Sequence, residues 1–239
     1  MLLELSILFL AVLGLIFVYR LKGYHTQTIS FNDETAVSDD EMQITKISSE
    51  KHKDFFGTLV IRNVSPKKKG GELLEVKPVV VGEKSFINNN NMQYLVSTGW
   101  VSFESFSFFQ CQNLIEVKIE GSGKGVIGKN AFHRCMNLQK AHIEGMSEIN
   151  NLAFSRCGSL LQVILKNIGK IECSFQSCPS LAELCILGGV SHIKSNAFSR
   201  YGLFHKIDHL PPIQVIISGE DNKFNRKWLD NDKCEIFEL

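Results

Sequence analysis

No Cys-x-x-Cys pair occurs anywhere in the 239 residues, which removes the commonest zinc and dithiol-redox spacings. Neither sign of charge is in excess. Lys plus Arg number 26 and Asp plus Glu 25, a net charge of +1, so no field steers the chain toward nucleic acid. Five Pro and 18 Gly are too few for wholesale disorder or a collagen-like structure. Seven His are scattered at 25, 52, 133, 142, 192, 205 and 209, with no His-Glu-x-x-His motif, nucleophile elbow or triad-like signature around them. No catalytic residue, cofactor, metal or small-molecule substrate is therefore expected.

What is present is an ordinary globular composition, 44% apolar and 21% charged. Seven Cys is an odd number in a chain well above the size of small disulfide scaffolds, so they are expected to be mostly buried free thiols. Seventeen Phe against two Trp and four Tyr is unusual, and the Phe are periodic.

The one long apolar run is near the N-terminus. Residues 2–19 read LLELSILFLAVLGLIFVY, with Glu4 before the run and no small-residue exit after it. A cleaved signal has a basic start and a small-x-small exit, so a retained membrane anchor over residues 1–22 is expected, with an uncleaved signal as the related form. Arg20 and Lys22 follow the run and no Lys or Arg precedes it, so the positive-inside rule places the C-terminal flank in the cytoplasm. Free thiols agree with a reducing compartment. Asn63-Val64-Ser65 is a glycosylation sequon that matters only on the outside. Residues 23–53 are polar, with Asp33, Glu34, Asp39, Asp40 and Glu41, and read as a linker. Lys67-Lys68-Lys69 lies in a stretch, SPKKKGG, that reads as a solvated loop between two strand-like runs.

The Phe at 86, 108, 132, 154, 175 and 198 index an internal repeat, with intervals of 22, 24, 22, 21 and 23 residues. One position before each lies a small residue: Ser85, Ser107, Ala131, Ala153, Ser174, Ala197. Three after lie Cys111, Cys135, Cys157 and Cys178 in the middle units, and six after lie Leu114, Leu138, Leu160 and Leu181. Nine and eleven after lie Val117 and Ile119, Ala141 and Ile143, Val163 and Leu165, Leu184 and Ile186. Five before lie Val81, Phe103, Ile127, Ile149 and Ile193, with Ile171 four before Phe175 in the unit one residue short.

The Val-x-Ile end alternates with period two, which predicts a short strand with one buried face. The Ala-Phe-x-x-Cys-x-x-Leu part has three- and four-residue apolar spacing, which predicts a short helix or 3₁₀ segment. One unit cannot bury its apolar side alone; stacked units can, with strands about 4.8 Å apart in a parallel ladder. The expected fold is an α/β repeat solenoid behind one N-terminal transmembrane helix.

NAFHRCMNLQKAHI, LAFSRCGSLLQVIL and SFQSCPSLAELCI closely resemble the BspA-like leucine-rich repeats, over about residues 80–210. The resemblance implies a curved horseshoe that binds protein partners and often serves at a cell surface or in adhesion. The compartment thus has two readings, cytoplasmic from flank charge and thiols and cell surface from the resemblance. The expected layout is an anchor at 1–22, the linker at 23–53, a strand-rich N-terminal cap at 54–79, about six repeats at 80–210, and a C-terminal strand and cap at 211–239.

Gly123 to Lys129 has the G-x-x-x-x-G-K frame of a phosphate loop, but Asn130 stands where Ser or Thr would hold magnesium, and the segment reads better as an inter-repeat turn. The four repeat cysteines form a line and not a tetrahedron, so no metal is expected there. Cys185 is expected to be exposed on the strand face. In a solenoid that face is an extended concave surface. Its candidate protein-binding residues are Glu116, Lys118, Lys140, His142, Gln162, Ile164, Glu183 and Cys185, charged at one end and more apolar toward Leu187. Such a mixed patch suits a protein or peptide partner. The expected function is a non-catalytic, membrane-anchored interaction module; a repeat protein with no specific ligand and, more distantly, a nucleotide binder are the alternatives.

Overall fold

The computed structural model describes residues 26–30, 46–47, 57–63, 78–200, 210–218 and 234–238. The apolar run at 2–19, the Lys67–Lys69 stretch and the polar part of the C-terminal cap with Phe224 and Trp228 lie outside the described residues. No helix among the described residues is long and apolar enough to cross a membrane.

The chain winds into successive coils, each contributing to three long sides. The first side is a parallel ladder in the order β1 (Thr26–Ser30), β3 (Gly57–Arg62), β5 (Met92–Gly99), β7 (Glu116–Ile127), β8 (Lys140–Ile149), β9 (Gln162–Lys166), β11 (Glu183–Leu187), β13 (Ile213–Ser218) and β14 (Cys234–Glu238). The second is a shorter parallel ladder: β2 (Lys46–Ile47), β4 (Val79–Val81), β6 (Val101–Phe103), the ends of β7 and β8, then β10 (Lys170–Ile171) and β12 (His192–Ile193). The third side is made of turns, at 83–88, 105–110, 129–134 and 151–156.

Period-two alternation explains the first ladder. β9 alternates half-buried and buried, with Val163 and Leu165 inward. The register sets Val117 beside Ala141, then Val163, Leu184 and Val215, so each apolar column becomes a stripe through the core. The column five residues before each Phe lies in the second ladder, where Val81, Phe103 and Ile127 are adjacent and buried.

The turn side differs from the expected helix or 3₁₀ segment. A helix closes every N–H onto its own segment. Here alternate N–H groups close locally, as from Phe109 to Phe106 O at 3.2 Å and from Cys111 to Phe108 O at 3.3 Å. Those between go to the next coil: Phe108 N–H donates to Ala131 O at 2.7 Å and Gln110 N–H to His133 O at 2.9 Å. The switch is made by left-handed backbone two residues before and after the index Phe, as at Phe106 (φ 60°) and Gln110 (φ 58°). The result is a third hydrogen-bonded ladder built of turns.

The index Phe stack through the core. Successive ring centroids are 4.9, 5.0, 4.8, 4.9 and 5.1 Å apart from Phe86 to Phe198, with interplanar angles of 4–15°. That spacing equals the strand repeat, so the backbone ladder dictates the ring stack. Each buried ring contributes about 1.5–3 kcal/mol. The small residue before each Phe is buried in every unit, where the turn crosses over the core.

β1 and β2 fall within the stretch 23–53 expected to be a linker, and β3 within the expected cap. β1 pairs along its whole length with β3, and β3 with β5, so the ladder starts well before residue 80. Ladder pairing is a backbone interaction, and a polar segment such as Thr26–Ser30 can make it without apolar columns.

Candidate functional site

The outward positions of the first ladder form a grid. One row runs Tyr94, Glu116, Lys140, Gln162, Glu183, Gln214, Glu235, each residue paired with the next. Beside it run Val96, Lys118, His142, Ile164, Cys185, Ile216 and Phe237, and then Thr98, Glu120, Glu144, Lys166, Leu187 and Ser218. All eight sequence candidates therefore occupy adjacent positions in two neighbouring rows.

Four of the charges on this grid form ion pairs within it. Lys118 Nζ sits 2.6 Å from Glu120 Oε1, and Lys166 Nζ 2.8 Å from Glu144 Oε1. Gln162 Nε2 donates to Glu183 Oε2 at 2.9 Å. Burial pushes the Glu116 carboxyl above its ordinary value, against the opposing pull of Lys140 and Lys118. Burial, with Lys118 nearby, pushes the His142 imidazole down, which favours the neutral ring. Charges paired in this way give register and selectivity more than long-range attraction.

Cys185 is a correction. It is 5% exposed, tucked between Ile164 and Ile216 of the flanking strands, with Sγ 3.5 Å from Glu183 Oε1. Burial and the Glu183 carboxylate push its thiol up to about 12, so it packs as a small apolar side chain and is not a reactive nucleophile. A thiol is short, and its longer neighbours close over it.

The sequence list missed both ends of the grid. Tyr94, Val96 and Thr98 lie in the degraded first unit, and Gln214, Ile216 and Ser218 on β13 follow from the alternation in Ile213–Ser218. Phe237 extends the apolar row and is 49% exposed.

The repeat cysteines do more than fill space. Each donates its thiol to the carbonyl of the Phe one coil earlier: Cys111 to Phe86 O at 3.0 Å, Cys135 to Phe108 at 3.3 Å, Cys157 to Phe132 at 3.3 Å and Cys178 to Phe154 at 3.2 Å. Burial raises Cys111 to about 12 and lifts Cys135 and Cys157 well above the usual thiol range. Among the described residues, no group of three or more His, Cys, Asp or Glu is placed to hold a metal.

Gly123 to Ile127 runs as strand within β7, and the following N–H groups serve the ladders: Gly128 N–H donates to Phe103 O at 2.7 Å and Asn130 N–H to Asn151 O at 3.3 Å. Those two amides, and that of Val126 on Ser102 Oγ at 3.2 Å, are spent within the ladders and are not available to a phosphate. Beside it lies a shallow hollow of about 630 Å³ lined by Glu83, Glu104, Lys129 and Asn150 among others. Asn63, the first residue of the sequon, donates Nδ2 to Trp100 O at 2.6 Å, which engages the atom a glycan would take.

A family model describing the BspA-type leucine-rich repeat region matches residues 79–208 in six copies. Among solved structures, a leucine-rich repeat protein from Bacteroides ovatus ATCC 8483 is similar at 16% identity and a TM-score of 0.33, over 75% of this chain and 60% of that one. This chain thus spans less than two thirds of the length of that protein. No curated protein matches.

Proposed function

The chain belongs to the BspA-type leucine-rich repeat family, and from that premise we propose that it is a membrane-tethered, non-catalytic module that binds a protein or peptide partner on its open strand face. The observation that carries the reading is the grid itself: rows of outward side chains held in unbroken register by parallel pairing from β5 to β14. A rigid ladder pays little ordering entropy when a partner docks. Its matched ion pairs around His142 and its apolar row of Ile164, Ile216 and Phe237 suit a mixed protein surface. The family is generally non-catalytic and works by protein binding. The tether is the apolar run at residues 2–19, and the flanking Arg20 and Lys22 favour a cytoplasmic repeat domain, with the cell surface as the family-based alternative.

A photo-crosslinking residue placed at Lys140, His142 or Ile164 in the full chain, compared with one at His192 on the second ladder, tests the binding face. A discrete protein adduct from the first three positions alone is expected; equal adducts from His192, or none from any, would refute the assignment and favour a repeat protein without a specific ligand. Protease protection of intact cells with a C-terminal tag tests the topology, and digestion from outside without lysis reverses it. An ATP titration that leaves the melting temperature unchanged disposes of nucleotide binding.

A further inference from the structure

The turn side carries a surface unrelated to the strand grid. Phe106 and Phe109 lie with ring centroids 5.4 Å apart at 58°, and His133 stacks on Phe109 at 5.4 Å and 5°. All three side chains are only half-buried, and Ile87, in the same column as Phe109, is 38% exposed. Phe106 also holds a φ of 60°. That conformation is shared by the equivalent turn positions Lys84, Asn130 and Leu152, so the third ladder accounts for the backbone, while the ring it carries is left partly in water.

Arg134 and Arg156 occupy the next column, close enough to His133 that they, after burial, help to push its imidazole down to about 4. Arg156 and Lys129 are exposed, and Arg134 is half-buried. Unlike Lys118 and Lys166 on the strand face, none of these three cations pairs with a carboxylate among the described residues. Of the acids on the same side, Glu83 pairs with Lys84 at 3.1 Å and Glu104 accepts from Glu83 N–H at 2.7 Å.

We propose that this turn-side surface is a second docking site, and that its occupant is an acidic peptide segment with an aromatic anchor. The ring cluster Phe106–Phe109–His133 is a platform for an aromatic side chain. The two guanidiniums and Lys129 beside it take carboxylates, Arg in bidentate fashion. A peptide fits better than a nucleic acid because three cations on a chain of net charge +1 reach few phosphates.

The test is fluorescence anisotropy with the full chain in nonionic detergent. The probes are a labelled pool of ten-residue peptides randomised over Asp, Glu, Phe, Tyr, Trp and Ser, a matched pool with Lys and Arg replacing the acids, and an oligo-dT strand. The acidic aromatic pool is expected to bind about tenfold tighter than the basic pool, and Arg134→Ser with Arg156→Ser to weaken it about fivefold or more. Phe106→Gly removes the ring while suiting the left-handed backbone, so it is expected to weaken binding without lowering the melting temperature. Ile164→Glu on the strand face is expected to leave this binding unchanged, which separates it from the proposed function. No preference for acidic peptides, indifference to the turn-side variants, loss on Ile164→Glu, or tighter binding of oligo-dT with the same dependence on Arg134 and Arg156 would each overturn the proposal.

Discussion

Replacing Phe132 by Ala tests the ring stack where it is densest. The ring is fully buried and stacked 5.0 Å from Phe108 and 4.8 Å from Phe154, with Phe103 tilted against it at 5.8 Å. A fully buried Phe→Ala change costs about 3–5 kcal/mol, and this site sits at the upper end because its neighbours are held by hydrogen-bonded ladders and cannot collapse into the space. Against a total of about 5–15 kcal/mol, that is a large part of the stability. For a chain of this size, about 2–4 °C per kcal/mol predicts a fall in melting temperature of about 6–20 °C. Each coil touches only its neighbours, so the cavity is also expected to divide the stack, with guanidinium unfolding by circular dichroism becoming broader or biphasic. A single transition shifted by less than about 1 kcal/mol would refute the claim that the rings form one continuous column.

Gln110→Gly, at a half-buried position with φ 58°, is expected to raise stability by up to about 1 kcal/mol in the same assay, and Gln110→Val to lower it. Gly145→Ala is expected to destabilise more than Gly123→Ala: both have positive φ, but a β-carbon at Gly145 meets the carbonyl of Gly121 and one at Gly123 meets open space. Cys111 is held near 12 when folded against an ordinary value of 9.0, so above pH 9 the unfolded chain gives up a proton that the folded chain keeps. Stability is therefore expected to fall as pH rises from 9 toward 12, by up to about 1.4 kcal/mol per pH unit for this thiol, and to fall less in Cys111→Ala; equal slopes would refute the burial argument. For His133, held near 4 against 6.5, stability is expected to fall as pH drops from 6.5 toward 4, with a shallower fall in His133→Gln.

Much of the fold was legible because the columns are chemically plain. Phe at one offset, a small residue before it and Leu six after it have no other economical explanation than stacking. The turn side was not legible as turns, because a helix and a pair of successive turns share the same three- and four-residue apolar spacing. They differ in φ at positions filled by Asn88 and Asn130, which favour left-handed backbone, but equally by Lys84, Phe106, Leu152 and Arg156, which do not, so no residue type marks them. The second ladder was seen only as an apolar column, since two-residue strands such as Lys170–Ile171 are too short to display a period. β1 and β2 lie outside the Phe-indexed units, and only the ladder register aligns Ile47 with Val81 and Ile29 with Ile61. The grid's rows followed directly from the strand offsets. The burial of Cys185 did not, because it depends on the length of Ile164 and Ile216 beside it. The basic aromatic cluster was invisible because Phe106 and Phe109 stand at offsets where the repeat has no fixed residue type.

The longest repeat interval, 24 residues, absorbs its extra length at one corner, where the β7–β8 pairing slips between Glu120 and Gly125 and Gly123 projects into open space. Every hydrogen-bonded rung resumes in phase beyond that corner, at Val126 with Glu148 and Ile127 with Ile149. The corner is thus a splice point: an epitope or a small folded insert placed after Gly123 is carried outward while the coils above and below keep their alignment. The unit indexed by Phe175 makes the opposite adjustment: it is one residue short between Ile171 and the ring, and still Ile171 pairs with Ile149 and Ile193 and the ring stacks 4.9 Å from Phe154.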